Sequence, residues 1–178
     1  MKNRPSKYIR VLGIAPSSYG CGFAVMEGEN TLVDWGVKRV EGGNKNVRCL
    51  SNVGNLIAHY RPSVIAIEDT RPKECRRSSR IRALIEKIAI MAKDERVKVK
   101  RCSRKQMNLE FLSDEQGKKH ALAEYLAARF PEELRSRLPP KRRLWTSDDC
   151  RMDIFDAVAL AEYFLRSRDW LDLTARPH

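Results

Sequence analysis

The sequence predicts an α/β protein built on one mixed five-stranded sheet flanked by helices. Three observations carry that expectation. Three strand-like segments joined by short turns open the chain, and the hydrophobic period then changes to that of a helix. A short, fully apolar run at 64–67 then returns as a strand between two helical stretches.

The elements follow in order. Tyr8 to Ile14 reads as a buried strand, and the small residues Pro16-Ser17-Ser18 turn it into a second, Gly20 to Met26. Gly28-Glu29-Asn30 leads to a third, Thr31 to Val40, giving an antiparallel meander. Val47, Leu50, Val53, Gly54, Ile57 and Tyr60 recur at helical spacing and stop at Arg61-Pro62. Val64 to Ile67 opens directly onto Glu68-Asp69, and Ile81, Leu84, Ile85, Ile88 and Ala92 mark a second helix. Val97 to Val99 is a fifth strand, after which Ser103 caps a short helix through Phe111. Gln116 to Phe130 is the next helix. Pro131 and the run 138–143 read as an irregular basic loop, and Ser147-Asp148 as the cap of a last helix reaching about Arg168. No repeat or linker interrupts this order, so one domain is expected over 1–178.

Composition narrows the function. With 42% hydrophobic and 33% charged residues the chain reads as globular, and no apolar run approaches the ~20 residues of a membrane span. The start Met1-Lys2-Asn3-Arg4-Pro5 carries charge without a following apolar region, so no signal peptide is expected. Five scattered cysteines (Cys21, Cys49, Cys75, Cys102, Cys150) form no Cys-x-x-Cys pair, and His59, His120 and His178 do not cluster with them. Reduced thiols in a cytoplasmic setting are expected, not a disulfide framework or a zinc site. The net charge of +12 points to a polyanion, with nucleic acid the leading candidate. That charge is patchy: bases far outnumber acids from Arg71 to Lys105, and a second basic cluster is Arg135, Arg137, Lys141, Arg142 and Arg143.

The carboxylates suggest the chemistry. Glu68 ends an apolar strand, so its side chain belongs at the edge of the core. At 100° per residue Asp149, Asp153, Asp156, Ala157, Leu160 and Phe164 share one stripe of the last helix, apolar in its second half and therefore inward. Asp148 and Asp149 are explained by the helix dipole; Asp153 and Asp156, expected about two turns in, are not. Buried carboxylates repel one another and suffer desolvation unless cations compensate them, and Mg²⁺ or Mn²⁺ suits such all-oxygen ligation. Two ions roughly 3.5–4 Å apart would suit phosphodiester hydrolysis.

Val11-Leu12-Gly13-Ile14-Ala15-Pro16-Ser17-Ser18, followed by Gly22-Phe23-Ala24-Val25, resembles the first motif of the RuvC-like Holliday junction resolvases, which have the RNase H-like fold. In that family the strand ends Gly-Ile-Asp-Pro-Gly. Ile65-Ala66-Ile67-Glu68 is similar to the second motif, and Asp153-Ile154-Phe155-Asp156-Ala157-Val158-Ala159-Leu160-Ala161 to the last. The resemblance covers nearly the whole chain. It implies Mg²⁺-dependent cleavage of branched DNA by a homodimer, in recombination and repair, with Glu68, Asp153 and Asp156 as metal ligands. It also implies Lys105 and Lys119 near the DNA phosphates.

Two departures stand out. Ala15 replaces the first-strand aspartate, and a methyl cannot bind a cation, so cleavage is expected to be negligible. Either deliberate disarming of a nuclease or natural loss of cleavage fits it. The family also carries an aromatic wedge after its second motif. Here that loop, Asp69 to Arg77, has no aromatic but offers Arg71, Lys73, Arg76 and Arg77, which can grip phosphates or stack on bases. Trp145 could instead stack on a base or cover the last helix. Three readings stay open: a junction endonuclease inactive as written, a related nuclease acting on RNA–DNA hybrid or single-stranded DNA, and a DNA-binding module without catalysis.

Overall fold

The computed structural model describes residues 9–167. Met1 to Pro5, Tyr8, Arg168 and His178, on which some expectations fall, lie outside them. The strands are β1 Arg10–Pro16, β2 Gly20–Glu27, β3 Thr31–Arg39, β4 Val64–Glu68 and β5 Lys98–Cys102. The helices are α1 Lys45–Tyr60, α2 Ser79–Asp94, α3 Arg104–Leu112, α4 Lys119–Arg129, α5 Pro131–Leu134 and α6 Met152–Arg166, with a 3₁₀ turn at Arg135–Arg137. The sheet order is β3-β2-β1-β4-β5. β1, β2 and β3 pair antiparallel, whereas β4 runs parallel to both β1 and β5. The expected mixed five-stranded α/β sheet is present.

Both faces of the central strands are covered, which is why their sequences are apolar without alternation. Leu12, Ile14, Phe23, Val25, Ile65 and Ile67 pack against α1 and α2 through Val53, Leu56, Leu84, Ile85 and Ile88. The alternate residues, Val11, Ala15, Ala24, Met26, Val64 and Ala66, face α3, α4 and α6. Ala15 therefore points toward α6.

Helix α6 lies unusually close to the sheet, and two glycines permit it. A Cβ on Gly13 would come within 2.0 Å of the Ala157 carbonyl oxygen, and one on Gly22 within 2.2 Å of the Asp153 carbonyl oxygen. Any side chain at either position would lift the helix.

Several boundaries depart from the sequence reading, α4 starting at Lys119 and not Gln116 among them, and two have a clear local cause. α6 begins at Met152, not after Ser147-Asp148, because Asp149 commits its carboxylate to the Arg151 backbone N–H at 2.9 Å and to the Arg151 guanidinium. That local turn competes with a helical start. Asp149 is thus outside the helix, and Asp153 sits in its first turn, not two turns in. Pro131 does not simply end α4 but starts α5, where its missing N–H costs nothing.

Candidate active site

The strand ends and the start of α6 bring three acids to one place. Glu68 follows Ile67, the last β4 residue paired with β1, just as Ala15 follows Ile14. Glu68, Asp153 and Asp156 are all buried, the last only 2% exposed. The position expected to hold a fourth carboxylate holds the Ala15 methyl, itself buried.

Cationic side chains meet these acids. The Arg77 guanidinium donates to Glu68 Oε2 at 2.7 Å and also lies 3.9 Å from Asp156 Oδ2, bridging the two carboxylates. Arg104 donates to Asp156 Oδ1 at 2.8 Å, and Lys119 Nζ lies 3.1 Å from Asp156 Oδ2. The Ser17 hydroxyl donates to Asp153 Oδ2.

Each partner is positioned by local structure. Ser103 and Gln106 form a reciprocal capping box, which fixes Arg104 as the first residue of α3, two residues past the end of β5. Buried Asn108 donates to the Glu115 and Gly117 carbonyls, shaping the turn that delivers Lys119 at the start of α4. Arg80 ties the Ser17 carbonyl to Asn46 of α1. Arg82 braces the loop before α2 by donating to the Cys75 and Arg77 carbonyls.

The electrostatics separate the two aspartates. Burial pushes Asp153 up to about 6, with Asp156 adding repulsion, while the Ser17 hydrogen bond and Lys119 pull the other way. The α6 N-terminus favours a carboxylate by only ~0.3–1 kcal/mol, so burial wins. Burial also acts to raise Asp156, but Arg104, Lys119 and Arg77 outweigh it and hold that carboxyl well below the usual range. Arg104 is raised: burial opposes its charge, and Asp156 more than restores it.

A pH dependence follows. The folded state favours protonated Asp153, a contribution fully present below its ordinary value of 3.8 and lost as pH rises through about 6. The difference between 3.8 and about 6 corresponds to about 3 kcal/mol. Asp153→Asn should therefore leave stability nearly unchanged at about pH 4 and raise it relative to the parent at about pH 7.5. Urea melts at both pH values measure this, and the parent's carboxyl resonance should titrate near 6.

The sequence-predicted residues fall into two groups. Glu68, Asp153 and Asp156 lie together, and Lys119, expected near DNA phosphates, pairs with Asp156. Lys105 does not join them: it is exposed on α3 and pairs with Glu115 at 2.8 Å, while its neighbour Arg104 points inward. Arg77, read as a DNA contact, turns into the site and binds Glu68. Arg71 is exposed and folds back on Asp69, while Lys73 and Arg76 are exposed. Sequence reasoning missed Arg104 and Ser17 as site residues. The capping signal at Ser103 placed Arg104 at a helix start but not which way its side chain faces.

The expected divalent ions do not fit this arrangement as it stands. Among the described residues no group of three or more His, Cys, Asp or Glu side chains is placed to hold a metal ion. The ligand missing at Ala15 and the Arg and Lys partners of Glu68 and Asp156 give the physical reason. The charges of Glu68 and Asp156 are already compensated.

Sequence comparison with family models and with curated proteins returns no match. Structure comparison does. Thermus thermophilus RuvC superposes with a TM-score of 0.66 at 16% identity, covering 90% of this chain and 96% of that one. The chain has a RuvC-like resolvase fold. T. thermophilus RuvC in complex with Holliday junction substrate gives 0.64 at 17% identity, again over 90% and 96% of the two chains. The yeast mitochondrial Holliday junction resolvase gives 0.61 at 14% identity over 96% and 83%. The RNase H-like fold class expected from three short motifs is thus found over nearly the full chain. Within this RuvC-like fold, Ala15 is the last residue but one of β1. No helix among the described residues is long and apolar enough to cross a membrane.

Proposed function

We propose that this chain is a DNA-binding protein of the resolvase type that takes up branched DNA without hydrolysing it. The observation that carries the reading is the pairing of Glu68 and Asp156 with Arg77, Arg104 and Lys119 around a methyl at position 15. Phosphodiester hydrolysis needs an activated water and a stabilised leaving oxygen. Carboxylates neutralised by guanidinium groups supply neither. The divalent-ion requirement that the resemblance implies has no ligand set here to serve it.

The DNA-binding half of the reading is supported by the +12 charge and by exposed Lys73 and Arg76 beside the site. A four-way junction is the first ligand to test, because a structural neighbour was solved with Holliday junction substrate. Fluorescence anisotropy should give tighter binding to a four-way junction than to linear duplex of the same sequence. Affinity should fall steeply with salt, and Lys73→Ala with Arg76→Ala should flatten the log–log slope by about one unit each. Equal affinity for junction and duplex would remove the branched-DNA claim, and salt-independent binding would remove the phosphate footprint.

A further inference from the structure

We propose that the turn Arg143-Leu144-Trp145-Thr146 and the groove beside it hold an unpaired nucleotide of bound DNA, its base stacked on Trp145. The inference rests on the DNA-binding reading above and adds a feature of the ligand, a base out of the duplex.

The turn is built to present its tip. Thr146 closes it twice on Arg143: its backbone N–H donates to the Arg143 carbonyl at 3.1 Å, and its hydroxyl to the same carbonyl at 3.0 Å. The Arg143 N–H in turn donates to the Thr146 hydroxyl oxygen at 3.1 Å, and Arg142 Nε to the Thr146 carbonyl at 2.7 Å. The flanks are pinned too. The His120 ring meets the Pro139 carbonyl at 2.9 Å, and the Tyr19 hydroxyl donates to the Asp148 carbonyl at 2.7 Å. What this closed turn offers to solvent is Leu144, 98% exposed, and Trp145, 78% exposed. Two large apolar side chains at the tip of a braced turn, outside the core, mark a contact surface.

The surroundings select the partner. Trp145 borders a groove of about 950 Å³ that also includes Pro140, Lys118, Lys119 and Arg143. Its volume suits a nucleotide. Among the described residues Lys118 and Arg143 make no ion pair, whereas the groove acids Asp148, Glu124 and Asp149 face Arg142 at 3.3 Å, Lys141 at 4.0 Å and Arg151 at 2.7 Å. An aromatic face with uncommitted cations fits a base and its phosphate, the combination by which proteins hold single strands. Lys119 belongs both to the groove and to the Asp156 pair, so one lysine is shared between the groove and the carboxylate site. This turn thus places an aromatic where the loop after Glu68 has none.

The test compares the parent with Trp145→Ala and Trp145→Phe on oligothymidylate, a four-way junction and linear duplex, by anisotropy and tryptophan fluorescence. Trp145 is exposed, so the substitutions leave the fold intact. Oligothymidylate should quench the parent's fluorescence. Trp145→Ala should bind it about ten-fold more weakly with duplex affinity unchanged, and Trp145→Phe should recover most of the loss. If Trp145→Ala binds every DNA as the parent does, the stacking site is wrong while DNA binding stands, and the turn is left to a protein partner. If the parent binds no DNA at all, the DNA-binding reading falls and takes this inference with it.

Discussion

Arg104→Ala should destabilise the protein by about 3 kcal/mol, because it leaves Asp156 buried with part of its compensation gone. In a chain of this size that is a loss of roughly 6–12 °C in melting temperature. Asp156 cannot turn to solvent from the middle of a packed helix face, and Lys119 and Arg77 alone must then hold its charge. The carboxyl should rise toward its ordinary range, so the Asp156 contribution that the parent loses below pH 3.8 is smaller in the variant, and the stability gap between the two should narrow on acidification. Asp156→Asn added to Arg104→Ala should cost less than the two single losses combined. A double-mutant cycle by urea denaturation gives that coupling. Additive effects would show that the pair is not a unit.

Gly13→Ala and Gly22→Ala should each cost about 3 kcal/mol. In both cases the atoms met by the new methyl, the carbonyls of Ala157 and Asp153, are backbone, so no side-chain rotation relieves the clash. Helix α6 must move as a body, and Asp153 and Asp156 move with it. Gly43→Ala, where a Cβ meets nothing within 4 Å, is the control and should be nearly neutral. Gly22→Ala should also bring the Asp153 midpoint down from about 6 as the carboxyl gains solvent, because burial, the largest cause of its rise, outweighs the opposing loss of the Ser17 hydrogen bond. An unchanged melting temperature in either variant would show that α6 is not held at this distance.

The parts of the site legible in the sequence were those set by periodicity. Glu68 had to sit at a core edge because four apolar residues precede it, and helical spacing had to turn Asp153 and Asp156 inward together. Ala15 was conspicuous because its neighbours fix a strand end. The cations were not legible. Arg77, Arg104 and Lys105 lie in one long basic stretch, and a lysine or arginine looks the same there whether it faces solvent or a buried carboxylate. Lys105 and Arg104 are adjacent, yet only the second faces inward, a matter of one helical step. The start of α6 was misplaced for a similar reason. Ser147 and Asp148 have the composition of a cap, but Asp149 closes its own turn with Arg151 first.

The pairing of acids with bases also bears on Ala15→Asp. An aspartate there would add a carboxylate to a site where Arg77, Arg104 and Lys119 already pair with Glu68 and Asp156. Position 15 and the cations are therefore best varied together.

The most direct test of the central claim is an end-labelled four-way junction incubated with the parent chain, with and without Mg²⁺ or Mn²⁺, read on native and denaturing gels. The account predicts a retarded complex that forms with or without the ion, and strands that remain full length. Ion-dependent nicks placed symmetrically across the junction would contradict it, showing that Glu68 and Asp156 exchange their arginine and lysine partners for metal and that Ala15 does not abolish cleavage.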